Sequence, residues 1–104
     1  MAQIDVDALE IRQDTSEGKF YLDMKGSAEA YLKYDLHTDQ NPNVVEFTET
    51  HIPDELEGIG LDKRLAMEGM LFCEKTGYRI YPTCPTFNGH FSKHPEFHYL
   101  RAKR

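Results

Sequence analysis

The periodicity of the apolar residues changes near the middle of the chain, and this change most restricts the fold. Apolar residues alternate over residues 19–24, 30–37 and 44–52, as in half-buried β-strands, and then recur at helical spacing over residues 60–75. Thr76 and Gly77 end that helix, and residues 78–84 alternate again. A strand, a helix and a strand in succession form a βαβ crossover, so the last two strands are predicted to be parallel.

Turn-forming residues divide the first half of the chain into neighbouring strands. Asp, Asn, Ser, Gly and Pro are concentrated in residues 14–18 and 39–43. We therefore expect residues 1–12 to form a hairpin with residues 19–24, followed by two further antiparallel strands. The predicted fold class is α/β (α+β): an antiparallel meander and then a βαβ crossover with one principal helix. The C-terminal part is predicted to hold a short helical segment near residues 88–93 and a closing strand at residues 97–100.

Composition limits the class of protein and of partner. Twelve Lys and Arg against 18 Asp and Glu give the 104 residues a formal net charge of −6, which argues against a nucleic-acid partner. No apolar run is long enough to cross a membrane, and we expect a single cytoplasmic domain over residues 1–104.

The two cysteines, Cys73 and Cys84, are too few for a disulfide framework and are predicted to be free thiols. We expect a monomer or a weak dimer. An apolar strip of the helix is either a second packing face under the C-terminal segment or a dimer contact: Met67, Met70 and Leu71.

Two glycines precede the helix in a loop that can bind an anion. Gly58 and Gly60 permit backbone dihedrals that other residues avoid. Amides at a helix start have no intrahelical partner and can converge on a pyrophosphate. On spacing alone an ordinary glycine-containing loop is the simpler interpretation, and both interpretations remain open at this point.

Two stretches flank the helix and belong together. The first is THIPDELEGIGLDKRL at residues 50–65, and the second is IYPTCP at residues 80–85. In order and spacing they resemble the small stand-alone GNAT-like N-acetyltransferase domain family, whose members have a threonine ending a strand, a Gly-x-Gly loop opening the coenzyme A helix, and a cysteine ending the next strand. The resemblance covers roughly residues 17–100, and it implies a GNAT-like mixed sheet.

The resemblance also implies an acetyl-CoA site between the two parallel strands, which splay apart in this family. Loop amides would hold the pyrophosphate, and the thioester would lie near residues 48–51 and Cys84. Pro82 fits independently, because a proline lacks the N–H needed for ladder pairing and belongs where a strand leaves its neighbour. The cofactor-binding residues implied are Thr50, His51, Gly58, Ile59, Gly60, Leu61, Asp62, Lys63 and Arg64.

Two acidic residues depart from the family's loop. Asp62 stands where the family usually has glycine or alanine, and Glu57 stands where it has a basic residue or glutamine. A like-charge pair at ~6 Å and an effective dielectric constant of ~20 costs up to ~3 kcal/mol before salt screening. Lys63 and Arg64 can offset that repulsion, and without a ligand Asp62 is simply a carboxylate favoured by the helix dipole.

Glu49 and Cys84 are the candidate catalytic residues. Glu49 continues the face of Val45 and Phe47, so burial would make it a plausible general base; the alternative is an exposed acid on a strand that has reached solvent. Cys84 can accept the acetyl group covalently, and the alternative is a small buried apolar residue at a strand end. Direct transfer through Glu49 and a covalent route through Cys84 both remain open.

The predicted function is acetyl-CoA-dependent transfer of an acetyl group to an amine, including a protein amine. The alternative is a non-catalytic CoA-binding or protein-interaction module on the same fold. The spacing of His90, His94 and His98 invites a zinc site, but Pro95 disfavours helical geometry at His94, and no metal is predicted. The expected partners are thus acetyl-CoA and an amine acceptor, with neither nucleic acid nor membrane.

Overall fold

A five-stranded mixed sheet forms the framework of the protein. The computed structural model describes residues 10–22 and 29–102. The strands are adjacent in the order in which they occur along the chain. They are β1 (Arg12–Asp14), β2 (Lys19–Leu22), β3 (Ala30–His37), β4 (Val44–His51) and β5 (Arg79–Pro82). Strands β1 to β4 pair antiparallel, and β4 pairs with β5 in parallel. The predicted meander and crossover are confirmed.

The helix α1 (Leu61–Thr76) makes the crossover between β4 and β5. It begins after Gly60, whose φ is 85°, and ends at Gly77, whose φ is 79°. The Gly77 amide donates to the Cys73 carbonyl oxygen over 2.9 Å, closing the last turn in the way that glycine favours. The bounds of the predicted helix are confirmed to within a residue.

The core lies between one face of the sheet and the helices. Alternation along β3 buries Ala30, Leu32 and Tyr34, as predicted, but Leu36 on the same face is 43% exposed. The helix α1 contributes an apolar face spaced at helical periodicity: Leu61, Leu65, Ala66, Gly69, Met70 and Cys73. Cys73 therefore packs in the core, and burial raises the pKa of its thiol to about 12. Of the predicted apolar strip, Met70 is buried, and only Leu71 is largely exposed.

The first hairpin is confirmed for the residues that the structure describes. β1 pairs with β2 across residues 14–18, and the Gly18 amide donates to the Asp14 carbonyl oxygen over 2.9 Å. Residues 1–9 were predicted to belong to this hairpin, and Met24 to the core face of its second strand. Both predictions lie outside the described residues.

The C-terminal part is more helical than the sequence indicated. The helix α2 (Pro85–Ser92) begins three residues before the predicted helical segment at residues 88–93 and ends one residue before its end. The predicted closing strand at residues 97–100 is wrong, because Pro95–Leu100 is a 3₁₀ helix that buries Phe97 and Leu100. Side chains three residues apart share a face of such a helix, so Phe97 and Leu100 can both pack in the core. A parallel bridge to Ile80 follows at Arg101. Within the described residues, each helix is too short or too polar to span a membrane.

Candidate active site

The parallel strands β4 and β5 separate at their carboxyl ends. Their pairing runs from Val44 opposite Arg79 to Phe47 opposite Pro82, where β5 ends, while β4 continues to His51. Beyond Pro82 the Cys84 amide donates to the Phe47 carbonyl oxygen over 2.9 Å, and the chain then turns into α2. The last part of β4 is therefore paired with β3 only, and a gap opens beside it.

A β-bulge at Thr48 determines which side chains face that gap. Lys33 lies opposite Glu49 and Tyr34 opposite Phe47, so Thr48 is the extra residue of β4. The bulge reverses the alternation, and this places Thr50, rather than Glu49, on the Phe47 side of the strand.

The predicted placement of Glu49 on the face of Val45 and Phe47 is accordingly wrong, and of the two alternatives for Glu49 the exposed acid is the one observed. Glu49 is exposed on the other face of β4, and its carboxylate accepts a hydrogen bond of 2.9 Å from the Tyr31 hydroxyl. This hydrogen bond raises the pKa of the Tyr31 phenol. The His51 ring lies 5.2 Å from the Tyr31 ring, so the side chains of Glu49, Tyr31 and His51 are grouped at this end of β4. The structure leaves Glu49 without the burial on which its general-base role was based.

Cys84 lies at the base of the gap. Its side chain is buried, and its Sγ atom is 3.4 Å from the Thr50 Oγ1 atom. The Cys84 residue caps α2, since the Asn88 amide donates to its carbonyl oxygen over 2.8 Å. The sequence-predicted pair Cys84 and Thr50 is therefore brought together, whereas Glu49 and Cys84 are on opposite faces of β4.

The loop before α1 contains the two glycines in left-handed conformations. Gly58 and Gly60 have φ values of 84° and 85°, and an added Cβ atom at either position would meet nothing within 4 Å. Backbone conformation, not crowding, requires glycine here. The first intrahelical bond runs from the Arg64 amide to the Gly60 carbonyl oxygen over 3.1 Å. The amides of residues 61–63 precede it and have no helical carbonyl partner.

A cavity of about 510 Å³ connects this loop to the end of β4. It is lined by Thr50, His51, Ile52, Leu56, Glu57, Gly58, Asp62 and Thr86. Four of the predicted cofactor-binding residues thus line one cavity, while Leu61 is buried beneath it, Lys63 is exposed and Arg64 forms an ion pair along α1 with Glu68. Sequence reasoning missed Thr86, although Pro85, a residue typical of the first position of a helix, was the available signal.

Asp62 has a partner that the sequence did not reveal. The His90 Nε2 atom of α2 lies 2.8 Å from the Asp62 Oδ2 atom. Burial acts to raise the pKa of Asp62, but the hydrogen bond and charge of His90 and nearby backbone amides prevail, and its pKa is lowered.

The three regularly spaced histidines have separate partners. His94 pairs with Glu96 over 3.2 Å, and the His98 Nε2 atom donates to the Phe91 carbonyl oxygen over 2.8 Å. Over residues 10–22 and 29–102, no group of three His, Cys, Asp or Glu side chains could hold a metal ion.

The comparisons with known proteins agree with this geometry at the level of the family. No curated protein matches the sequence significantly. A model of the GCN5-related N-acetyl-transferase family matches residues 19–100, which include the whole of β2 to β5, both helices and the loop between β4 and α1. The chain therefore belongs to the GCN5-related N-acetyltransferase family.

Proposed function

We propose that the protein transfers an acetyl group from acetyl-CoA to an amine. The observation that supports this most directly is the separation of β4 and β5 after Phe47 and Pro82, with Cys84 at its base. Ligands of open α/β sheets bind beyond the carboxyl ends of parallel strands, and here a cavity adjoins that position. Membership of an acetyltransferase family gives the same reaction class.

Several residues around the cavity support acetyl-CoA as its ligand. Gly58 and Gly60 leave open space where a side chain would stand, so a diphosphate could approach the backbone closely. The proposed diphosphate donors are the amides of residues 58–61, because the Asp62 amide already bonds the Asp62 carboxylate, and the exposed Lys63 is the nearest cation along the chain. Thr50 and His51 would border the acyl end of the molecule. When bound, acetyl-CoA supplies an acetyl group activated as a thioester.

Cys84 is the proposed nucleophile. Its sulfur would form a bond to the acetyl carbon as the carbon–sulfur bond of the thioester breaks, and the proton lost by Cys84 would leave on the coenzyme A thiol. The Thr50 hydroxyl, 3.4 Å from Sγ, would orient the thiol. An acceptor amine would then displace Cys84 from the acetyl group, and the proton that the amine loses would return to the Cys84 sulfur by way of water. Because Glu49 is on the opposite face of β4, its charge does not crowd the nucleophile.

A second candidate function rests on the acids of the cavity. Glu57 and Asp62 both line it, and each repels a diphosphate. A non-catalytic protein-interaction module on the same fold would show this pattern, since it would not need to accept the cofactor.

Calorimetric titration with coenzyme A separates the two candidates. Saturable binding at micromolar to millimolar ligand is expected of an acetyltransferase; a flat titration at millimolar coenzyme A would refute the proposed function.

Incubation with acetyl-CoA followed by intact-mass analysis then tests the covalent route. We expect an acetyl adduct on the wild type that is lost in Cys84→Ala and retained in Cys73→Ala, a matched control in the core. Transfer that continues in Cys84→Ala would contradict the covalent route and favour direct transfer.

A further inference from the structure

The Asp62–His90 pair forms part of the cavity wall at the start of α1. Asp62 belongs to the first turn of α1 and lines the cavity, and His90 reaches it from α2. The two side chains are 41% and 19% exposed, so the histidine is the more enclosed partner. Two helices that flank the gap are thereby joined by one polar contact of 2.8 Å.

The contact between His90 and Asp62 bears on the binding of an anionic ligand, because Asp62 carries a negative charge in the cavity wall. Both carboxylates of the cavity would face a diphosphate held by the preceding loop, and each like-charge pair would weaken its binding. Among the described residues Glu57 forms no ion pair, whereas Asp62 has His90. Arg64, two residues after Asp62, does not serve this purpose, because it is directed along α1 to Glu68.

Resting on the proposed function, we propose that His90 is a positioning residue for acetyl-CoA binding: its hydrogen bond holds the Asp62 carboxylate towards α2 and, when the imidazole is protonated, offsets the carboxylate charge, so that a diphosphate can occupy the amides at the start of α1. The lowered pKa of Asp62 is consistent with a favourable charge interaction between the pair. Lys63, which is exposed, and His51, at the far side of the cavity, are the other cationic or titratable groups near this carboxylate.

The proposal explains why this chain tolerates an acidic residue at the position. Without a partner, Asp62 would place a full negative charge directly after the loop amides that are proposed to bind the diphosphate. With a protonated His90 the pair would present little net charge to the ligand, and the hydrogen bond directs the carboxylate towards α2. His94 and His98 are bound to groups elsewhere, so neither can take over this role.

A set of coenzyme A titrations tests the proposal. The variants are His90→Gln, which keeps a side-chain donor but cannot carry a positive charge, Asp62→Asn, and the double variant, each titrated at about pH 5.5, below the ordinary imidazole pKa of about 6.5. We expect His90→Gln to weaken coenzyme A binding by about tenfold at 0.1 M salt, since one like-charge pair at ~6 Å becomes uncompensated. In the Asp62→Asn background the same change should alter binding by less than about twofold, because no carboxylate is left to neutralise.

A matched control and a change of salt distinguish charge from structure. His37→Gln is the matched control. It removes a similar contact, from His37 Nε2 to Glu46 Oε1 at 2.9 Å, but His37 lies beside the start of β4, at the opposite end of that strand from the cavity. Coenzyme A binding should therefore be unchanged. At 1 M salt the Debye length falls to about 3 Å, so the loss caused by His90→Gln should largely disappear.

Three results would overturn the role of His90. They are unchanged binding by His90→Gln, an equal loss with or without Asp62, and a loss that persists at 1 M salt. Binding by Asp62→Asn but not by the wild type would also reject it while retaining the proposed function. Absence of binding in every protein, including Asp62→Asn, would refute the proposed function itself and the His90 role that rests on it.

Discussion

Gly69→Ala and Gly89→Ala add the same methyl group to two helices and should change the stability of the protein in opposite directions. Gly69 lies in α1, where an added Cβ atom would be 2.7 Å from the Phe47 Cε1 atom, 3.0 Å from Cζ and 3.2 Å from the Leu32 Cδ2 atom. Gly89 lies in α2, where an added Cβ atom would meet nothing within 4 Å. The two positions therefore share the helix effect and differ only in packing.

The magnitudes follow from those two terms. Replacing glycine by alanine inside a helix stabilises it by about 0.5–1 kcal/mol, and Gly89→Ala should gain that amount. At Gly69 the same gain is opposed by overpacking, which costs about 1–3 kcal/mol. The Phe47 ring has little freedom to move away, because it is stacked on Phe87 with ring centroids 4.1 Å apart. We expect Gly69→Ala to lower the free energy of unfolding by about 1 kcal/mol.

Urea unfolding followed by far-ultraviolet circular dichroism measures both changes. The midpoint should fall for Gly69→Ala and rise for Gly89→Ala, with similar slopes, so that the midpoints report stability alone. An increase in stability for Gly69→Ala equal to that for Gly89→Ala would refute the reasoning, because it would mean that α1 does not approach β4 this closely.

Three further predictions concern the turn, the core thiol and the ion pair. Gly18→Ala should lower the free energy of unfolding by about 2 kcal/mol or more, because φ is 73° and the new Cβ atom would lie 2.5 Å from the Tyr34 carbonyl oxygen; near-wild-type urea unfolding would contradict this. Burial raises the pKa of Cys73 to about 12, so iodoacetamide at pH 8 should modify it in urea but not in the folded protein, and rapid labelling of the folded protein would show that the thiol is accessible. The pKa of Asp62 is lowered from its ordinary 3.8 on folding, so its contribution to stability is present above that value and is lost as the pH falls through the lower, folded value. The stability difference between the wild type and Asp62→Asn should therefore shrink as the pH falls below about 4, and a difference independent of pH would contradict the assignment.

The fold could be predicted from the sequence because its elements depend on local patterns. The change of period at Gly60 and the glycine at position 77 determine the bounds of α1, and turn residues separate the strands before it. The C-terminal part was predicted less well. Its 3₁₀ helix is specified by Phe97 and Leu100 filling the core, and a pair of apolar residues three apart gives no strong periodic signal.

The site could be predicted only in part, because two of its features depend on register and on distant contacts. The glycine loop, Thr50 and Cys84 were predicted and lie around one gap. Glu49 was placed on the wrong face because strict alternation assumes an uninterrupted ladder, and the bulge at Thr48 adds a residue that no local pattern announces. The partner of Asp62 was missed for a related reason: His90 reaches it only when α2 has packed beside α1.

Phe47 connects the packing of the core to the geometry of the gap. Its ring fills the space left by Gly69 and stacks on Phe87 of α2, while its carbonyl oxygen accepts bonds from the Cys84 amide over 2.9 Å and the Thr83 hydroxyl over 3.1 Å. The ladder with β5 ends at this residue, and the bulge follows it at once. A change that displaces the Phe47 ring should therefore also move Cys84 relative to Thr50. Gly69 thus affects the candidate nucleophile without lining the cavity, and the position of α2, on which the His90 contact to Asp62 depends, is determined by the same stacked rings.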